Sequence, residues 1–229
     1  MRAFTALELD ALTEAFNLSL GEATAAFSAI VREEIELSVP VVEFVARDEL
    51  ARRLQGSQAG GVDDRLCRIN QHFHTDDGFA TDALLLFPEQ GSLEIVRRML
   101  GEDTSAEHIT ELEQDALAEI GNIIINSCMS SLADLFGSEI IGSLPSVQSS
   151  SVARLLEDKS PDSLILVARI GMSMSAHNLS GFVLFLMDVP SIDHFMAQVS
   201  RLFGLPEAPG GGFPMQVLSL LRAIAPPRL

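Results

Sequence analysis

Sliding this 229-residue chain against itself by 105 positions lays Asp10 on Asp115, Glu14 on Glu119, Asn17 on Asn122 and Pro40 on Pro145. Between residues 10 and 42, ten of thirty-three positions are then identical, where chance would give about two or three. Later segments recur at a slightly shorter offset: Phe87-Pro88-Glu89 leads into Ile95-Val96-Arg97-Arg98-Met99-Leu100-Gly101, and Met187-Asp188-Val189-Pro190 leads into a run ending Arg201-Leu202-Phe203-Gly204. The chain is therefore written twice, and each copy must bury the same apolar faces. A unit of about 100 residues with one three-stranded sheet would leave an edge strand and a sheet face in water. The expectation is one pseudo-two-fold domain over residues 1–204, built from repeats at about 6–101 and 107–204. Residues 205–229 form a Pro/Gly linker and tail, in which Met215 to Ala223 has the length of a two-turn apolar helix.

Periodicity orders the elements within each repeat. A long helix opens it, at roughly residues 6–32 and 107–136. In the first copy Leu12, Phe16, Ser19, Ala23, Ala26, Phe27 and Ile30 step by three and four. A strand surrounds each proline (Leu37 to Val42 in the first copy), and a short helix or loop follows. Two strands come next. In one, Cys67, Ile69 and Phe73 alternate with Arg68, Asn70, His72 and His74; in its counterpart, Leu164 to Met174 alternates likewise. Ala83 to Phe87 and Phe182 to Leu186 are their partners. A last helix closes each copy, with Ser92 or Ser191 as N-cap, an acid in the first turn and Gly101 or Gly204 as stop. Helix, strands, helix, twice over, predicts an α+β fold of helix-strand-strand-strand-helix units sharing a mostly antiparallel sheet, with the two long helices carrying the sites.

Composition narrows the chemistry. The formal net charge is −17 and the only lysine is Lys159. Such a chain repels phosphate backbones, so nucleic-acid binding through a basic patch is excluded, as is a Gly-Lys-Ser/Thr phosphate loop. No uninterrupted apolar run of about 18 residues is present, which argues against a membrane span. The acidic residues Glu8 and Asp10 near the start do not fit a signal peptide. Cys67 and Cys128 are isolated among apolar neighbours and read as buried thiols of a reducing cytoplasm.

Asp10, Glu14, Asn17 and Gly21 fall at i, i+4, i+7 and i+11, one stripe along a helix, and Asp115, Glu119, Asn122 and Asn126 repeat it. The stripe lies opposite the apolar one and should face solvent. Asparagine is a poor mid-helix residue, yet it stands twice at the same place, each time with twenty-two residues before the proline. This pattern, Asp-x-x-x-Glu-x-x-Asn and a distant Pro, resembles the signature of the CheC-type chemotaxis phosphatases, a family that also includes CheX-like proteins and the phosphatase part of FliY. Two motifs in one chain are more similar to the CheC form than to the one-motif CheX form. The resemblance spans about residues 6–204, and the extra C-terminal switch domain of FliY is missing from it.

The resemblance implies a protein that docks on a phosphorylated CheY-type response regulator and speeds hydrolysis of its aspartyl phosphate. It implies no cofactor of its own, because the phosphoryl group and the Mg2+ belong to the partner. Asn17 and Asn122 would position the attacking water, accepting from it through oxygen and donating through nitrogen. Glu14 and Glu119 would contact the lysine of the regulator's active site. Asp10 and Asp115 would support docking, and Pro40 and Pro145 would hold the sheet edge beneath the helix. In the second copy Gly121 leaves room beside the amide, whereas Phe16 stands at that place in the first. Asn122→Ala is therefore expected to lower activity more than Asn17→Ala. The acidic charge gives no steering toward acidic regulators, so docking rests on the helix face and a small, transient interface. The rival reading is a non-catalytic adaptor for phosphorylated regulator or for a CheD-like receptor deamidase, a family partner. A flagellar-switch element is a third reading.

Other groupings carry less. His72 and His74 point the same way on a strand, with Asp76 and Asp77 beyond, but a metal needs three or four convergent ligands. The serines of Ser146 to Ser151 have no adjacent base and suit an edge strand. Met172 and Met174 alternate like core residues of a strand.

Overall fold

The computed structural model describes residues 4–31, 34–56, 65–89, 91–93, 96, 111–151, 164–174 and 179–205. The expected linker and tail beyond 205, the loop at 59–64, and most of the first copy's closing helix lie outside these. The elements run α1 (Ala6–Val31), β1 (Glu36–Leu37), β2 (Val41–Ala46), α2 (Arg47–Gly56), β3 (Arg65–His74), β4 (Ala80–Pro88), α3 (Glu111–Phe136), β5 (Ile141–Gly142), β6 (Ser146–Ser151), β7 (Leu164–Met174), β8 (Leu179–Met187) and α4 (Val189–Phe203).

All pairings are antiparallel, and the sheet reads β2, β7, β8, β4, β3, β6, with β1 extending β2 along β7 and β5 extending β6 along β3. The two repeats meet at the centre, where β4 pairs β8 with Leu84 opposite Leu184, and they also exchange their proline strands, β2 pairing with β7 and β6 with β3, so neither repeat forms the three-stranded sheet expected of it alone. The fold is the α+β arrangement expected from the duplication. The strand expected around each proline is split in two. Pro40 and Pro145 lie in three-residue gaps (38–40 and 143–145) between short strands that pair with one and the same partner. A proline has no N–H to give the ladder, so the edge strand is interrupted there.

In each gap a serine repairs the ladder. Ser38 N donates to Gly171 O (2.9 Å) while Gly171 N donates to Ser38 Oγ (2.8 Å). Ser143 N donates to His72 O (2.8 Å) while His72 N donates to Ser143 Oγ (3.0 Å). These matched clamps fix the register of the repeats: Ser38 corresponds to Ser143, and Gly171 to His72.

The main core lies between the sheet and the helices α1, α3 and α4. On α1 the residues Leu12, Phe16, Ser19, Ala23 and Phe27 are buried, as the three-four stepping requires. Phe16 stacks on Phe185 (5.1 Å) and Phe195 (5.3 Å) and is core, not an obstruction. A smaller cluster on the other sheet face places Leu50 and Leu54 of α2 over Leu84, Leu184, Leu86 and Leu186. Met172 is buried in the main core, as its alternation suggests.

Helix ends depart from the local signals. At α1 a capping box forms: Thr5 N donates to Glu8 Oε2 (2.8 Å) and Glu8 N donates to Thr5 Oγ1 (3.3 Å). At α4 the N-cap is Asp188, whose side chain accepts from Ser191 N (3.0 Å), and the first turn holds no acid. Ser191 instead lies inside the helix and its Oγ accepts from Ala80 N. Ser92 is likewise helical, its Oγ donating to Glu89 O. A carboxylate one turn earlier outcompetes the serine because Pro190 presets the first helical residues. Gly204 stops α4 as expected, at φ 62°, the left-handed conformation that glycine adopts without cost.

Gly21, exposed on α1, has nothing within 4 Å of the place a Cβ would occupy. Gly21→Ala is expected to raise stability by about 0.5–1 kcal/mol through the unfolded chain's lost freedom, read as a higher midpoint in urea at unchanged slope.

Candidate functional site

α1 and α3 each turn one polar stripe outward. Asp10, Glu14, Asn17 and Gly21 are exposed on α1, and Asp115 and Glu119 are exposed on α3. Asn122 and Asn126 are half-buried, so the second stripe sinks partly toward the sheet. Both amides stand one turn after their glutamate on the same helix face, as the spacing requires. Among the described residues, Asp10, Glu14, Asn17, Asp115 and Glu119 make no side-chain hydrogen bond or ion pair, leaving them available to another molecule.

Asn122 differs. Its Oδ1 accepts from Gln71 Nε2 (3.1 Å) and from Asn126 Nδ2 (2.8 Å). Gln71 Nε2 also donates to Ser143 O (3.1 Å), so the clamp beside Pro145 reaches the amide through a single side chain. Gln71 projects from β3 to the core side and is only 1% exposed. Sequence reasoning passed over it. The signal was present: between Ile69 and Phe73, the alternation of β3 calls for an apolar residue, and a buried polar side chain there needs partners.

Gly121 does not leave room beside the amide. A Cβ on it would lie 2.3 Å from Ile69 Cγ2 and 3.0 Å from Ile69 Cβ. The glycine lets α3 come down onto β3, and the space is already filled. The clamps and strand registers make Ala168 the counterpart of Ile69, as Phe16 is the counterpart of Gly121. One half puts the bulk on the helix and the other puts it on the strand.

The other candidates resolve simply. His72 and His74 stack at 6.1 Å, and His72 Nδ1 lies 3.0 Å from Asp82 Oδ1. Among the described residues no group of three or more His, Cys, Asp or Glu is placed to hold a metal ion. Ser146 to Ser151 form edge strand β6, where Ser149 Oγ donates to Glu89 Oε1 (2.6 Å). Cys67 and Cys128 are free, buried thiols, pushed up to about 11 and about 12 by burial, which disfavours the reactive thiolate. One described helix, α3, is long and apolar enough to cross a membrane; half of that stretch is buried in the fold, and its other face carries the polar stripe.

No family model matches the chain. It is 26% identical over 147 residues to the CheY-P phosphatase CheC of Bacillus subtilis (strain 168), an alignment covering 61% of this chain and 65% of that protein, just under two thirds of the relative's length. Among solved structures, Thermotoga maritima FliY superposes with a TM-score of 0.69 at 18% identity, covering 88% of this chain and all (100%) of that one. FliM in the FliG-FliM complex from H. pylori superposes with a TM-score of 0.59 at 13% identity, covering 85% of this chain and 100% of that one. The chain is thus similar in sequence to CheC and has the fold of FliY, in line with the resemblance carried by the two stripes.

Proposed function

We propose that the protein is a phosphatase for the aspartyl phosphate of a CheY-type response regulator. The observation that carries this reading is the Glu and Asn one turn apart on one face of both long helices, both exposed on α1, and on α3 an exposed Glu119 beside a half-buried Asn122. Support also comes from the CheC homologue, described as a CheY-P phosphatase. Fold alone would not separate phosphatase from switch component, since FliY and FliM both superpose on the chain.

The chemistry asks little of the protein. Phosphoryl transfer passes through a loose transition state in which a strong base is not essential and an in-line water must be held. Asn17 and Asn122 hold that water, while Glu14 and Glu119 pair with the regulator's active-site lysine and place the helix over the acyl phosphate. Asp10 and Asp115 sit one turn further back and support docking. The Mg2+ is the partner's, and the reaction takes place in the cytoplasm, where such regulators act. Charging a response regulator from the same organism with a small-molecule phosphodonor and following phosphate loss tests this. Faster decay on adding catalytic amounts of the protein is expected. Unchanged decay with measurable binding would replace the phosphatase with an adaptor, for phosphorylated regulator or a CheD-like deamidase. A switch component would share the fold of FliM in the FliG-FliM complex, and binding to a FliG-like partner without phosphatase activity would establish that reading instead.

Docking has an apolar component at the prolines. Leu144 is 90% exposed and Val39 70%, equivalent residues directly preceding Pro145 and Pro40. Leu144 follows Ser143, whose carbonyl is linked through Gln71 to Asn122, so it flanks the α3 site. Burying a leucine on docking is worth about 1.5–3 kcal/mol. Leu144→Asp is expected to raise KM for the phosphorylated regulator about tenfold or more with kcat nearly unchanged, measured by steady-state phosphate release.

A further inference from the structure

The two amides have the same place in the repeat but different surroundings. The serine clamps make His72 and Gly171 equivalent. The residue before each is then Gln71 in one half and Ile170 in the other, and one turn beyond the amide stands Asn126 in one half and Gly21 in the other. Both donors that grip Asn122 are therefore replaced around Asn17 by residues whose side chains cannot donate.

The grip also has a direction. Ser143 O is a carbonyl and only accepts, so the atom of Gln71 that faces it is the amide nitrogen. That same nitrogen faces Asn122, which turns the Asn122 oxygen inward. Asn126 Nδ2 occupies its second lone pair. What Asn122 offers an incoming regulator is its NH2 group, held in one orientation. Asn17, with no hydrogen-bonding partner among the described residues, offers either end after rotation.

We infer that Gln71 is a positioning residue for the α3 site, fixing the Asn122 carboxamide with its NH2 toward the partner. The inference rests on the phosphatase reading for its catalytic consequence, though not for its geometry. With both oxygen lone pairs taken, Asn122 holds the attacking water by donating to the water's oxygen. The water's other lone pair attacks phosphorus as the bond to the aspartyl oxygen breaks, and its proton passes to a phosphoryl oxygen, as a loose transition state permits. This differs from the accepting role expected for the amide oxygen, a role Asn17 remains free to play. A side chain already fixed need not be immobilised when the complex forms.

The test isolates the α3 site in an Asn17→Ala background. There, Gln71→Leu is expected to lower kcat about three- to tenfold with KM little changed, while leaving activity untouched in an Asn122→Ala background, where no amide remains for Gln71 to hold. Gln71→Glu adds a signature that a packing role lacks. When protonated, its carboxyl still donates; when ionised it only accepts and turns the Asn122 amide round. Burial raises such a carboxyl's pKa, so activity relative to the parent is expected to fall as pH rises through that pKa. Equal losses from Gln71→Leu in both backgrounds, or unchanged kcat with a flat relative pH profile for Gln71→Glu, would overturn the inference. Side-chain amide NMR relaxation on the full chain without partner reads the amides independently of catalysis. Asn122 is expected to be ordered in the parent and loosened by Gln71→Leu, with Asn17 loose in both. A loose Asn122 in the parent refutes the positioning role. An ordered one in a chain that does not accelerate dephosphorylation refutes the phosphatase reading instead.

Discussion

Replacing both amides together, Asn17→Ala with Asn122→Ala, is expected to reduce the acceleration of regulator dephosphorylation by at least about 100-fold, the scale lost when water positioning is removed from a docked complex. Binding should survive, because Glu14 and Glu119, to which the proposal gives the charged contact, remain exposed on the same faces. The measurement pairs phosphate release with titration of a phosphorylated, hydrolysis-resistant regulator. Each single variant retains the other site. Asn122→Ala should cost more than Asn17→Ala, because a fixed amide loses less freedom on docking than an unrestrained one. A double variant with parental activity would remove the amides from the mechanism altogether.

The second large effect is on stability. Gly121→Leu is expected to destabilise the fold by about 3 kcal/mol or more, since it drives a side chain into a strand that cannot yield. Ile69, which would take the collision, is fully buried in β3, a strand paired on both sides. For a chain of this length the thermal midpoint should fall by roughly 6–12 °C. Gly121→Ala is a milder probe, the gain in helix propensity of about 1 kcal/mol opposing the overlap. Adding Ile69→Ala to it should recover part of the loss, because it deletes Cγ2, the atom nearest the new Cβ at 2.3 Å, and Cδ1 at 3.2 Å. Failure of the pair to couple, with the two losses merely summing, would mean that the close approach of α3 to β3 is not what the glycine serves.

Much of this architecture could be read along the chain because it is periodic. The three-four stepping of Leu12, Phe16, Ser19 and Ala23 gave α1 its buried face, and the alternation around Cys67 and Ile69 gave β3 its two sides. The repeat made one antiparallel sheet more economical than two small ones. Glu14 and Asn17, and likewise Glu119 and Asn122, could be placed on one face of a helix because their spacing is local to it. What stayed hidden depends on what lies across the fold. Gly121 reads as open space until Ile69 is seen beneath it. Gln71 reads as one more polar strand residue until its nitrogen is seen between Ser143 O and Asn122 Oδ1. Ser191 reads as a cap until Asp188 takes that place. The first two could not be settled within a window of a few residues; the third turns on Asp188 and Pro190, which lie within three residues of the serine.

The pairing of β4 with β8 has one more implication. A polypeptide ending after the first repeat would leave β4 without β8, β2 without β7 and β3 without β6, ladders complementary to those of a second identical molecule turned about a two-fold axis. Its assembly would then depend on how much of it was made. Joining the two copies end to end turns that encounter into an intramolecular one, at a fixed local concentration. It also frees each copy to diverge, so that phenylalanine on one helix and glycine on the other, a strut under one amide and none under its twin, can coexist in every molecule.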